Sequence, residues 1–190
     1  MDLKMTRVTF PKLVFFDLDG TLIEPMDFER IKFVLGVESP VLENILHDSA
    51  KMEILKRFEI EHAMKANLMP HTITVLKKFE DLGIVRALIT RNCLESVKIV
   101  CRRFGLKFDE VITREMGHFK PSPYHVIRLI EKYGFRKEDC LIVGDHEFDV
   151  LTGKKAGIRT AIVRKNSMNA DFILRSLKDL LDIVEYDGKA

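Results

Sequence analysis

Short apolar runs alternate with amphipathic stretches along most of this chain. Residues 13–16 read Leu-Val-Phe-Phe and stop at a charged turn. A continuous apolar run bounded by turn residues predicts a strand buried on both faces, as in a parallel sheet. Similar runs fall at 84–89, 111–113, 141–143 and 160–163. Between them, helical patterns are predicted over 70–82 (with Ile73, Leu76 and Phe79 as its apolar positions), 94–104, 123–133 and 148–156. Each helix closes on a glycine (Gly83, Gly105, Gly134, Gly157), the residue that most readily takes the left-handed turn past a helix end. Strands alternating with helices in this way predict βαβ units and a doubly wound parallel α/β sheet.

The alternation breaks once, between residues 22 and 68, where no strand pattern is found. Residues 27–35 carry Phe28, Ile31 and Leu35 at helical spacing. Ser39-Pro40 reads as an N-cap followed by proline at the first helical position. Residues 49–65 form a long charged amphipathic stretch. The expectation is a small helical insert placed directly after the first strand, with the α/β core made of 1–21 and 69–190. Within the insert acidic residues outnumber basic ones, so it offers no basic binding surface. Near the C-terminus, a last strand is expected at 172–174 and a helix through Leu180.

Composition narrows the function classes. The chain has 190 residues, 46% hydrophobic and 32% charged, with a net charge of +2. That length suits one domain carrying a small insert. The charge is too small to draw nucleic acid or an anionic membrane. No apolar run reaches the roughly 18–20 residues of a membrane span. Residues 1–12 lack the apolar segment of a secretory signal, so a cytoplasmic location is expected. Cys93, Cys101 and Cys140 are scattered and set among apolar residues, which predicts buried reduced thiols.

The candidate chemistry lies at the strand ends. Ligands of parallel α/β sheets bind beyond the carboxyl ends of the strands. Asp17-Leu18-Asp19-Gly20-Thr21 follows the first strand, and Thr90-Arg91-Asn92 follows the second. Lys120 follows the third, past a loop, and Gly144-Asp145-His146-Glu147-Phe148-Asp149 follows the fourth. These supply carboxylates, a hydroxyl, an amide and a lysine to one rim. Carboxylates from two strand ends can hold a hard cation through oxygen. A lysine and a hydroxyl can take phosphate oxygens, one carboxylate can attack phosphorus, and a second can move protons. Gly20 allows a tight turn and close backbone approach.

The pentapeptide Asp17–Thr21 after a hydrophobic strand resembles the signature of the haloacid dehalogenase-like hydrolases. The other three segments resemble that family's remaining motifs, in order, and the resemblance runs from about residue 14 to residue 163. It implies a Rossmann-like core with a small α-helical cap after the first strand. It also implies a Mg2+-dependent phosphatase that hydrolyses a small-molecule phosphate ester through an aspartyl-phosphate, similar to phosphoglycolate phosphatases. Asp17 would be the nucleophile and a metal ligand. Asp19 would be the general acid/base, binding metal through its backbone carbonyl. Gly20, Thr90, Arg91, Asn92 and Lys120 would bind the phosphate, and Lys120 would also pair with Asp17. Asp145 would be the second metal carboxylate, with Asp149 just outside it.

Two residues depart from the family pattern. His146 stands where a small residue is usual, and His118 is expected near the mouth of the site. A phosphomutase would use the same core residues and remains the nearest alternative. A phosphoacceptor signalling domain would carry its acceptor on the third strand, where this chain has Thr113-Arg114. A binding module without turnover fits poorly with an intact motif set.

Overall fold

The computed structural model describes residues 8–166 and 169–186. Its strands are β1 (Val8–Phe10), β2 (Leu13–Phe16), β3 (Val85–Ile89), β4 (Glu110–Ile112), β5 (Cys140–Gly144), β6 (Arg159–Val163), β7 (Phe172–Leu174) and β8 (Glu185–Tyr186). Its α-helices are α1 (Phe28–Leu35), α2 (Val41–Ile45), α3 (Ser49–Lys65), α4 (Thr72–Asp81), α5 (Leu94–Phe104), α6 (Tyr124–Tyr133) and α7 (Glu147–Ala156). Six strands form one parallel sheet in the order β4-β3-β2-β5-β6-β7. The chain therefore leaves β2 for one side and later returns to its other side. That reversal creates the crevice where such sheets bind ligands.

Side chains alternate across β2, and each face finds its own helices. Val14 and Phe16 pack with Phe79 of α4 and with Val97 and Val100 of α5. Leu13 and Phe15 pack with Val126, Leu129 and Ile130 of α6 and with Ala156 of α7. All four β2 side chains are fully buried, each worth roughly 1.5–3 kcal/mol. A strand buried on both faces has to be apolar at every position, which is why 13–16 shows no alternation.

Between β2 and α4 the chain forms only helices, α1 to α3, around a third apolar cluster of Ile31, Leu35, Val41, Leu42, Ile45 and Leu55. Helix α3 is fastened to the sheet side. Its Glu59 pairs with Arg114, and Arg103 of α5 donates to the carbonyls of Ala63 and Ala66.

Several local expectations shift. Helix α2 begins at Val41 with Pro40 as its N-cap and no side-chain cap, so Ser39 does not cap it. Pro40 has extended backbone dihedrals, which places it before the helix and not in its first turn. The segment expected to be helical through Leu180 is a short 3-10 turn, Leu177–Leu181. Ile73 faces outward at 46% exposure, while α4 buries Val75, Leu76 and Phe79. Cys93 and Cys140 are buried thiols, but Cys101 is half-buried. The antiparallel pair β1–β8 was not expected. No helix among the described residues is long and apolar enough to cross a membrane.

Candidate active site

The carboxyl ends of β2, β3 and β5 converge because their registers align. Phe16 lies opposite Leu88 on one side and Val143 on the other. The next residue, Asp17, donates its amide to the Val143 carbonyl at 2.9 Å. Two glycines make the crowding possible. A Cβ at Gly20, whose φ is +72°, would lie 2.3 Å from Asp145 Oδ2. One at Gly144 would lie 2.0 Å from the Asp149 carboxyl. No real Cβ is accommodated at either distance, so each glycine lets a carboxylate reach the rim.

Asp17, Asp145 and Asp149 bring carboxylate oxygens within 4.8 Å of one another. Lys120 is buried among them, its Nζ 2.5 Å from Asp17 Oδ1 and 2.6 Å from Asp149 Oδ1. Lys165 lies 3.1 Å from Asp145 Oδ2. Burial pushes the Asp17 carboxyl up to about 8; Lys120 opposes this, and the neighbouring Asp149 and Asp145 reinforce it. Burial works against the Lys120 ammonium as well, but Asp149 and Asp17 hold its pKa above the usual lysine value.

Asp149 has both oxygens engaged. Oδ1 takes Lys120, and Oδ2 accepts from the His146 amide at 3.1 Å. It is therefore a helix-capping acid and the lysine's anchor at once. His146 is the N-cap of α7: its Nδ1 accepts from the Phe148 amide at 3.2 Å, and burial lowers its pKa. An unusual residue in the fourth motif is thus explained by helix capping.

Asp19 sits in a different environment. Asn92 Nδ2 donates to its Oδ2 at 2.6 Å, and His62 Nε2 of α3 stands 3.3 Å from its Oδ1. The Asp19 contact is the main cause that raises the His62 pKa, against partial burial. Thr90 does not cap α5. Its hydroxyl accepts from the Asn92 amide at 3.2 Å, while Cys93 is the N-cap. The Arg91 side chain turns away to the Glu43 carboxylate of α2 at 2.6 and 2.9 Å and to the Lys120 carbonyl, and lies over the Phe119 and Phe148 rings.

Asp17, Asp19, Thr90, Arg91, Asn92, Lys120, Asp145 and Asp149 border one cavity of about 620 Å3 between the strand ends and α1–α3, whereas Gly20, His62 and Glu43 do not line it. His118 is not on its wall; it stacks on Tyr124 at 4.4 Å.

The sequence model of the haloacid dehalogenase-like hydrolases matches residues 25–163. The chain belongs to this family of hydrolases. The matched stretch begins just past the Asp17–Thr21 loop. Among relatives of the enzyme, pyrophosphatase PpaX of Halalkalibacterium halodurans is 30% identical, over 90% of this chain and 95% of its own. Phosphoglycolate phosphatase of Aquifex aeolicus is 28% identical, over 92% and 97%. The crystal structure of a HAD phosphatase from Thermococcus onnurineus superposes with a TM-score of 0.69 at 23% identity, covering 90% of this hydrolase and 97% of that chain.

Three contributors were absent from the sequence expectations. Lys165 follows β6, so the same strand-end rule that found Asp145 would have found it. His62 and Glu43 lie on the inserted helices, where no strand end points to a position.

Proposed function

We propose that this hydrolase is a Mg2+-dependent phosphatase that cleaves a phosphate monoester through a phosphoryl group carried on Asp17. The observation that carries the proposal is the contrast between two carboxylates on one turn. Asp17 is buried against Lys120 and faces the acidic cluster. Asp19 accepts from Asn92 and has His62 3.3 Å away, outside that cluster. Such divergent environments suit a nucleophile and a proton carrier respectively. The phosphatase and pyrophosphatase names of the relatives support phosphoryl chemistry.

The donor set fits a hard divalent cation. Three mutually repelling carboxylates face only two lysines, and every available donor is oxygen. Asp17, Asp145 and the Asp19 backbone carbonyl would hold the ion, while Asp149, with both oxygens taken, would act through Lys120. When bound, the ion supplies charge neutralisation between an anionic nucleophile and an anionic phosphate.

The chain's residues then divide the work. An Asp17 oxygen attacks phosphorus as the ester oxygen leaves. Asp19 gives its proton to that leaving oxygen. Lys120 and the Thr90 hydroxyl hold phosphate oxygens as charge shifts on to them. Asp19 next takes a proton from water, whose oxygen attacks phosphorus, releasing inorganic phosphate and restoring Asp17. Residues 22–68 act as a cap over a core of 1–21 and 69–190, limiting water access during the first step.

A panel of phosphate esters assayed with Mg2+, beside Asp17→Asn, tests this. Phosphate release that needs Mg2+ and is lost in the variant is expected. Equal release by the variant would remove Asp17 from the mechanism, and release unaffected by a chelator would remove the metal.

A further inference from the structure

The phosphate-facing groups occupy one side of the cavity only. The opposite wall is built by the inserted helices and their connections, with Met26, Phe28, Val41, Leu42 and Leu55 on it, and Phe148 of α7 beside them. Met26, Val41, Leu42 and Leu55 are at most 8% exposed, packed into the apolar cluster of the insert. A pocket of about 620 Å3 is of a size that encloses an organic molecule of many atoms.

The cations on that side are already neutralised. Lys32 Nζ lies 2.7 Å from Glu29 Oε1. Arg91 forks on to Glu43. The one further acid that reaches the wall from α3, Glu59, is held by Arg114. Nearer the phosphate side, Lys120 and Lys165 stand on the acidic cluster. Among the described residues lining the cavity, every lysine and arginine has a carboxylate partner. A second anionic group seated on the insert wall would meet apolar side chains and the already paired Lys32 and Arg91, so its desolvation would be poorly compensated.

We infer, on the footing of the phosphatase chemistry proposed above, that the natural substrate is the phosphate monoester of an uncharged, apolar aliphatic or aromatic alcohol. The alcohol's body seats against Met26, Val41, Leu42 and Leu55, while its phosphate faces Asp17. Glycolate phosphate and inorganic pyrophosphate, which carry a second anion, are poor substrates despite the names of two relatives.

Ethyl, butyl and hexyl phosphate give a series with nearly constant leaving-group chemistry. With the full chain and Mg2+, kcat/KM should rise about fourfold per added methylene until the cavity fills. Phosphoglycolate and pyrophosphate should fall at least about tenfold below hexyl phosphate. Phe28 is 46% exposed, so its replacement should leave the fold intact. Phe28→Ser should therefore reduce the hexyl-to-ethyl ratio while ethyl phosphate turnover persists. A flat series, or preference for either anionic compound, overturns the inference and leaves the phosphatase standing. No phosphate from any ester, p-nitrophenyl phosphate included, overturns both.

Discussion

Replacing Glu59 by alanine should loosen the attachment of α3 to the sheet and destabilise the whole protein. Glu59 is 2% exposed. One of its oxygens pairs with Arg114, and the other accepts from the Cys93 amide at 3.0 Å. Burial pushes its pKa up and Arg114 opposes that, as expected of a carboxylate whose charge depends on its partner. Truncation leaves the Arg114 guanidinium buried, with the Arg91 carbonyl at 3.1 Å still accepting from it. An uncompensated buried charge costs about 3–5 kcal/mol. An unsatisfied amide adds about 1 kcal/mol or more, though the two losses share one site and do not simply sum. At roughly 2–4 °C per kcal/mol for a chain of this size, the melting temperature should fall by about 10 °C or more. Urea unfolding and thermal melts measure the change. The paired replacement Glu59→Leu with Arg114→Met removes both charges, so it should cost less than either single truncation. A shift under about 2 °C for Glu59→Ala, or a double variant whose loss equals the sum of the singles, would refute the reasoning.

Other outcomes follow from the same contacts. Asp139 accepts from Arg136 at 2.8 and 3.0 Å and from Lys12 at 3.2 Å. Arg136 first, with Lys12 adding and burial opposing, holds its pKa below the usual carboxylate value. A depressed folded pKa gives stability that is present above the unfolded value, near 4, and lost as pH falls through the folded one. Asp139→Asn should thus cost about 1–2 kcal/mol at neutral pH and converge on the wild type in acid; a deficit unchanged down to pH ~2 would contradict the pairing. His62→Ala should slow alkyl phosphates by about tenfold or more and p-nitrophenyl phosphate much less, because a good leaving group needs little help from Asp19; equal slowing would mean His62 does not position that acid. Mg2+ at a hundred times its dissociation constant should stabilise the protein by about 2.7 kcal/mol, measured as a melting shift, and Asp145→Asn should abolish the shift. A shift that survives in the variant would place the ion elsewhere.

How legible these features were in the sequence depended on how local their causes are. Strands β2 and β5 announced themselves because burial on both faces demands unbroken apolar runs, and their ends then pointed to Asp17 and Asp145. Lys120 was legible as a strand-end lysine, but its pairing with Asp17 came only from the family resemblance, because its seat between Asp17 and Asp149 depends on two crossovers meeting. The inserted segment was readable as helical and little more. Its ties, Glu59 to Arg114 and Glu43 to Arg91, span separations of 55 and 48 residues and leave no periodic trace. Ser39-Pro40 misled because a favourable capping pair carries no information about which residue turns into the helix. Strand β8 pairs with β1 from the other end of the described chain, and at two residues it is too short for any pattern.

In the proposed reaction Asp17 forms and then loses a bond to phosphorus. Steric course at phosphorus tests that directly, whether or not the intermediate accumulates. A thiophosphate ester made chiral with oxygen isotopes is hydrolysed in isotopically labelled water with Mg2+, and the configuration of the released thiophosphate is determined. Two in-line displacements, first by Asp17 and then by water, predict retention. Inversion would mean that water attacks the ester in a single step, and would contradict the role assigned to Asp17.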